Sequence, residues 1–525
     1  MNLEHLKRVR VGVSLLVFVL VNFLYLDLGS LIPSQVISLV VSLQFVPSIA
    51  KTLTFVGWSS LGLVVILAVT LLFGRVYCST LCPLGTLQDL IIALNRWWNR
   101  RRRRRPMRFA YTRPKTGIHY SVLAVTVAGA FGGSMVLLNL VEPFSNYGRL
   151  VAALVRPLVV GVNNGIAAVL DRFHLYSLYT IPFRPIDVSL LLIPLLFLGT
   201  VGYMAARHGR LFCNTLCPAG AVLRLLSRFS LFKLAIDHST CKECGLCEKV
   251  CKAGCIDADN QTIDFSSCIG CYNCIDACPT LGVVFQPSMK KRNVKPPSEF
   301  REGRRRVLRS SAMAMVGLAG SLSDTLRTGG GASKQVIPRK LPPITPPGSL
   351  GAAHFTSYCT ACHLCVSVCP TQILTPALAD YGIQGIFQPR LDYAGGSCTY
   401  ECNLCGQICP SGAILPLPIA EKKLVQLGKA KFVRDDCIVI TKKTDCGACS
   451  EHCPTKAVHM VPHEKLFLPE VNEEICVGCG ACEHPCPTKP NKAIYVEANP
   501  VHLRAKEPPK QKKEKETEGS TEFPF

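Results

Sequence analysis

The chain has 525 residues, 49% of them hydrophobic, and a positive mean hydropathy of +0.28, so it is long enough for several domains and too apolar to lie wholly in water. A formal net charge of +23 raises nucleic-acid binding, but the basic residues run beside apolar stretches, and no aromatic-interleaved basic surface or nucleic-acid fold motif accompanies them. The 29 cysteines argue against a secreted disulfide framework, because nearly all stand in short-spaced groups where bridges form poorly.

In chain order, Val11–Leu26, Phe55–Phe73, Ile118–Val141 and Val188–Ala206 are predicted to cross a membrane, since a span needs roughly 20 apolar residues. Lys7, Arg8 and Arg10 precede the first span, Arg100–Arg105 follow the second, and Arg207 and Arg210 close the fourth. That is the lysine and arginine bias of the cytoplasmic side. Leu150–Leu170 reads as an amphipathic interfacial helix, because Arg156, Pro157, Asn163 and Asn164 interrupt it.

A repeat accompanies the spans. GRVYCSTLCP (74–83) directly follows the second and GRLFCNTLCP (209–218) directly follows the fourth, so residues 1–230 read as a helical membrane domain made of two copies. Pro83 and Pro218 suit the first position of a helix, which puts Cys82 and Cys217 at helix starts, where the dipole lowers a thiol pKa. Cys78, Cys82, Cys213 and Cys217 are enough for an additional metal site or a pair of disulfides, and equally for a structural turn. His119 stands without a partner histidine in any span and is expected to be structural rather than a haem ligand.

Residues 231–290 contain CKECGLCEKVC and CIGCYNCIDACP, two C-x2-C-x2-C-x3-C runs in tandem. Such runs bind two [4Fe-4S] clusters, each taking its fourth ligand from the other run. Cys241, Cys244, Cys247 and Cys278 form one expected set, and Cys268, Cys271, Cys274 and Cys251 the other. A zinc ribbon would show two well-separated cysteine pairs instead. Cys255 is left as a packed thiol near a cluster.

Residues 291–350 form a basic, proline-rich linker. Within it GRRRVLR (303–309) and the weakly apolar 310–323 resemble a twin-arginine export signal. Residues 351–500 carry four further runs, each ending in Cys-Pro: Cys359, Cys362, Cys365, Cys369; Cys398, Cys402, Cys405, Cys409; Cys437, Cys446, Cys449, Cys453; and Cys476, Cys479, Cys482, Cys486. Sixteen ligands suggest four more clusters, hence six in all, although spacing does not tell which run lends its last cysteine to which cluster. The charged tail 501–525 is expected to be disordered.

No phosphate loop, dinucleotide fingerprint or metalloprotease motif is present, so no catalytic residue is assigned and one-electron transfer is the chemistry left. Glu142 and Asp187, at the outer ends of two spans, are as readily solvated end residues as proton acceptors.

On the paired C-x3-C-P repeat and the two-cluster run after it, residues 1–290 resemble NapH, the membrane quinol dehydrogenase subunit of periplasmic nitrate reductase systems. On GRRRVLR and the four Cys-Pro runs, residues 300–500 resemble the exported subunit NapG. Similar parts occur in the methylamine-utilisation ferredoxins and the nitrous oxide reduction regulator family. The resemblance implies an α-helical membrane domain of four transmembrane helices with α+β bacterial-ferredoxin-like modules, in a multi-pass protein of the bacterial inner membrane. Its first ferredoxin would be cytoplasmic and its C-terminal polyferredoxin periplasmic. Electrons would pass between a quinone or quinol, or a cytoplasmic donor, and a cytochrome c or terminal reductase subunit. Ferredoxin:quinone input and a redox-sensing or assembly role are the alternatives.

Overall fold

A computed structural model of the chain describes residues 4–27, 32–54, 60–103, 108–181, 188–287, 342–378 and 380–508. The twin-arginine-like segment 303–323 and Asp187 lie outside them, as do most of the linker and of the charged tail. The chain forms two compact units, residues 1–392 with 403–417, and residues 393–402 with 418–525.

The first unit opens with α1 (Glu4–Leu26), whose Leu15, Leu16 and Phe23 are exposed while Val21, Leu24 and Tyr25 are buried. A helix exposing leucine and phenylalanine in this way is built for lipid rather than water. Two short helices, α2 (Ser34–Ser42) and α3 (Phe45–Thr54), follow with a 105° bend between them. The first repeat is α4 (Ser60–Phe73), the single turn α5 (Tyr77–Thr80) and α6 (Pro83–Arg101). Next come α7 (Thr116–Phe131), α8 (Val136–Val141) and α9 (Pro143–Leu150), then a π-helical turn over Val151–Val155 and α10 (Arg156–Asp171). The second repeat is α11 (Val188–His208), α12 (Leu211–Thr215) and α13 (Pro218–Ser227).

Among the described residues three helices are long and apolar enough to cross a membrane, His5–Leu26, Pro143–Asp171 and Leu190–His208, or four if the bent pair is one span. This differs from the four expected spans, and one of the differences has a physical cause. The stretch around Leu150–Leu170, expected to lie in the interface, is the longest continuous apolar helix because its polar residues are satisfied within the unit. Arg156 donates to the Ser367 carbonyl at 2.8 Å, and Asn164 exchanges two hydrogen bonds with the backbone of Ile181 at 2.8 and 2.9 Å. Pro157 follows the π turn and therefore breaks no regular ladder. Two expected spans are shorter among the described residues, Leu61–Phe73 and Thr116–Phe131, the latter ending at Gly132-Gly133.

The repeats interlock. Helix α6 of the first packs on α11 of the second, where Asn95 donates to the Ala206 carbonyl at 3.0 Å, and α13 of the second packs on α4 of the first. Below them lies the first ferredoxin module. Its ends are closed by strands β1 (Phe232–Ile236) and β4 (Val283–Pro287), paired antiparallel from Phe232↔Pro287 to Ile236↔Val283, with the small hairpin β2 (Ile256–Asp257) and β3 (Thr262–Ile263) between them. A second module in this unit spans 342–392 and 403–417 and contains the pair β5 (Leu374–Pro376) and β6 (Pro389–Leu391).

The second compact unit is held by two antiparallel ribbons. One pairs β7 (Val425–Phe432) with β10 (Ile494–Arg504) and the other β8 (Val458–His463) with β9 (Leu466–Val471).

Candidate metal centres

Each regular C-x2-C-x2-C loop has the same backbone. The residues just before and just after its second cysteine have positive φ: Glu243 and Gly245, Gly270 and Tyr272, Ala361 and His363, Gly478 and Gly480. A left-handed conformation costs a non-glycine residue about 1–2 kcal/mol. Its recurrence at Glu243, Tyr272, Ala361 and His363 marks a loop whose N–H groups must turn toward sulfur. They do so at Gly270 N to Cys268 Sγ, 3.5 Å, and Ala361 N to Cys359 Sγ, 3.4 Å. The two runs with lengthened first loops depart from the pattern, since Asn403 and Gly447 after their second cysteines have φ of −132° and −120°.

Three small cavities are walled by cysteines. Cys251, Cys268, Cys271 and Cys274, with Cys255, line the first; Cys359, Cys362, Cys365 and Cys409 the second; Cys437, Cys446, Cys449 and Cys486 the third. Each has apolar neighbours such as Ile269, Ile414 or Ile494. Among the described residues no group of three or more His, Cys, Asp or Glu side chains is placed to hold a single metal ion. No disulfide joins the described cysteines. Four thiols brought from two short loops to one apolar-walled cavity are the donor set of an iron–sulfur cubane.

These walls answer what spacing left open. The last cysteine of a run joins the first three of its neighbour: Cys251 stands with the Cys268 set, Cys409 with Cys359, and Cys486 with Cys437. Cys453 is felt electrostatically by Cys476, Cys479 and Cys482, and Cys247 feels Cys241 and Cys278. Cys244 of that last set is exposed. Of the remaining cysteines, Cys369 and Cys405 belong to the first compact unit and Cys398 and Cys402 to the second. Cys255 is buried in the wall of its pocket, its Sγ 3.6 Å from Cys251 Sγ.

The two pockets of the first unit lie against opposite ends of α1. At its start, Lys7 pairs with Asp276 of the first ferredoxin module, and Arg10 reaches Asp89 and the Ser79 carbonyl, both at 3.2 Å. At its other end, Tyr25 and the carbonyl of Cys362 both close over Gly148, where a side chain would have no room. Asn139 donates to the Cys359 carbonyl at 3.4 Å, and the Arg149 guanidinium stacks 5.0 Å over the Phe387 ring. Eighteen residues of helix, about 27 Å, separate Lys7 from Tyr25.

Between those ends sit the C-x3-C-P pairs. Cys82 and Cys217 are the N-caps of α6 and α13, with proline next, as their sequence implies. The expected lowering of their pKa is overturned. Burial pushes both thiols up, and pushes Cys78 up to about 11 against the pull of Arg75 and Arg210, because a dry core penalises a thiolate more than one helix start rewards it. Cys213 acts on Cys78, Cys82 and Cys217, so the two pairs form one group of four. His119 donates from Nε2 to the Cys217 carbonyl at 2.9 Å. Glu142 is buried and caps α9, accepting from the Phe144 and Ser145 N–H groups; burial raises its pKa against those bonds. It is therefore neither solvated nor free.

Comparison with known proteins agrees with this picture. Residues 55–106 with 189–236, and residues 238–254, match families described as "4Fe-4S binding domain"; residues 264–373, and 358–413 with 444–489, match families described as "4Fe-4S dicluster domain". YccM of Escherichia coli (strain K12), which carries an electron-transport name, is 29% identical over 41% of this chain and 52% of its own length. The methylamine utilization ferredoxin-type protein MauM of Methylobacillus flagellatus is 30% identical over 26% of the chain and 60% of its own length. The ferredoxin-type protein NapH of Haemophilus influenzae is 26% identical over 43% and 66%. The chain thus spans about half to two thirds of these relatives. No solved structure matches. The chain carries 4Fe-4S binding-domain and dicluster-domain segments together with apolar helices long enough for a membrane, and it is similar to NapH, MauM, NosR and YccM.

Proposed function

We propose that the chain carries electrons across a bacterial inner membrane, between the quinone pool or a cytoplasmic donor on one side and a periplasmic acceptor such as a cytochrome c or terminal reductase on the other. The observation that carries this reading is the placement of two four-cysteine pockets at opposite ends of α1, a helix long and apolar enough to cross.

Cys241, Cys244, Cys247 with Cys278, and Cys268, Cys271, Cys274 with Cys251, would hold two [4Fe-4S] clusters at the basic end of α1. Cys359, Cys362, Cys365 with Cys409 would hold one at the other end. Cys437, Cys446, Cys449 with Cys486, and Cys476, Cys479, Cys482 with Cys453, would hold two in the second unit. The four-cysteine runs of the sequence account for the expected total of six. Bound clusters supply one-electron transfer. The chain's own part is to bury them, to aim N–H groups at their ligands and to set the charge around them. The resemblance to NapH supports quinol as donor, with the export-like 303–309 segment carrying the second cluster group outward.

Protease sites inserted in the exposed turn at Asn260 and in the turn at Ile383 test the reading in sealed, oriented membrane vesicles. Cleavage of each from opposite faces is expected. Cleavage of both from the cytoplasmic face would sink the transmembrane reading and favour ferredoxin:quinone exchange on that side. Opposite faces without reaction with any quinol or quinone would favour a redox-sensing or assembly role.

A further inference from the structure

We infer that Cys78, Cys82, Cys213 and Cys217 together hold one more [4Fe-4S] cluster, inside the helical domain and between the pockets at the two ends of α1. This deepens the relay reading and rests on it for the role of the site, not for its occupancy.

The first argument is the ligand count. Segments 55–106 and 189–236 both match a 4Fe-4S binding description, yet each contains two cysteines. Neither fills a cubane alone. The fold interlocks the two repeats so that all four buried thiols meet in one core, and Cys217 feels the other three.

The second argument is charge. Beside these thiols stands Arg210, which shares one carboxylate, Asp89, with Arg10 and Lys252 at 3.0 to 3.2 Å. Arg75, fully buried, has no carboxylate in ion-pair range among the described residues; its bonds go to Asn214 Oδ1, at 2.6 Å, and to the carbonyls of Cys268 and Gly220. A dry interior with three cations in excess is costly unless anionic partners are present. Neutral thiols offer none, whereas a cubane with four thiolates is anionic, and its binding releases the thiol protons.

The third argument is the set of donors already aimed at sulfur. Gly220 N donates to Cys217 Sγ at 3.3 Å, Gln88 Nε2 lies 3.6 Å and Arg210 Nη1 3.9 Å from Cys213 Sγ. Position is the fourth. One continuous buried core contains Cys271 of the first ferredoxin module, all four of these thiols, and Cys362 of the second module.

The full chain, purified anaerobically and saturated with iron and sulfide, would be weighed by native mass spectrometry and assayed for iron. Seven clusters, about 28 irons per chain, are expected. Six clusters would overturn the inference, as would recovery of these thiols as two disulfides or with zinc. The C213S variant, and separately C82S, should lose one cluster in seven while the ferredoxin-type EPR signals persist. If serine variants fail to fold, the wild-type count still decides. Seven clusters with both protease sites on one face would keep this site and sink the transmembrane reading; six with opposite faces would do the reverse.

Discussion

The two copies of the C-x3-C-P repeat begin from nearly one sequence and end in different electrostatic company. Arg75 and Arg210 occupy the same place in GRVYCSTLCP and GRLFCNTLCP, and each reaches across to the other copy: Arg75 Nη1 to the Gly220 carbonyl at 3.4 Å, Arg210 Nη1 to the Cys78 carbonyl at 2.9 Å. Seven residues after the second cysteine the symmetry breaks. The first copy has Asp89, the hub for three cations, and the second has Arg224, which pairs with Asp264 of the ferredoxin module at 3.3 Å. The loops also hold different parts of that module. Ser79 donates to the Gly270 carbonyl at 3.2 Å, while Asn214 donates to those of Ala253 and Ser267, and Arg210 N bonds the Lys252 carbonyl at 2.7 Å. A duplicated scaffold thus grips both ligand loops of one pocket, and the unlike residues are those that meet the unlike loops.

The largest way to break this comparison is to remove the hub. D89N leaves Arg10, Arg210 and Lys252 without a carboxylate and should cost about 3–5 kcal/mol, whereas its counterpart R224L should cost about 1–2 kcal/mol because Asp264 stays partly in solvent. Loss of cluster absorbance on heating in detergent measures both, and equal losses would show that the copies share the load. Acid should act like a mild D89N. The surrounding cations, opposing its burial, hold the Asp89 carboxyl well below the usual range, so its contribution is complete above the ordinary carboxylate pKa and is lost only as pH falls toward the lowered value.

Next are the equivalent glycines. A side chain on Gly85 would strike the Cys78 carbonyl and the Arg210 guanidinium; on Gly220 it would strike the Cys213 carbonyl. G85A and G220A should each cost about 1–3 kcal/mol by overpacking, G85A the more because it also dislodges the arginine. The same melting assay ranks them, and a larger loss for G220A would contradict the role given to Arg210. Smaller still, N214A removes three hydrogen bonds and should cost about 2 kcal/mol, against about 1 kcal/mol for S79A. Protection of the Gly270 and Ala253 amides from hydrogen exchange reports which loop loosens in each. Least of all, K7A breaks an exposed pair with Asp276 and should stay within about 0.5 kcal/mol, with any effect fading at high salt.

Much of the site was legible before any coordinates. Ligand spacing is dictated by the cubane, since three thiolates must come from one short loop, so Cys241–Cys247 or Cys359–Cys365 can be read directly from the order of residues. The N-cap places of Cys82 and Cys217 followed in the same way from Pro83 and Pro218. These are local properties, fixed by a few consecutive residues.

What tertiary structure alone decided is non-local. Cys409 crosses to Cys359 and Cys486 to Cys437, because the fourth ligand returns from a distant turn whose length does not constrain its partner. Polar Asn163, Asn164 and Arg156 do not interrupt a helix long and apolar enough to cross, because the Tyr179 and Ile181 backbone and the Ser367 carbonyl meet them after folding. Burial in the joined core, which no pattern of neighbours reveals, raises the thiol pKa that a helix start alone would lower and gathers Cys82 and Cys217 with Cys78 and Cys213. Local geometry is written in adjacent residues; dielectric and partnership are set by whatever the fold brings from elsewhere in the chain.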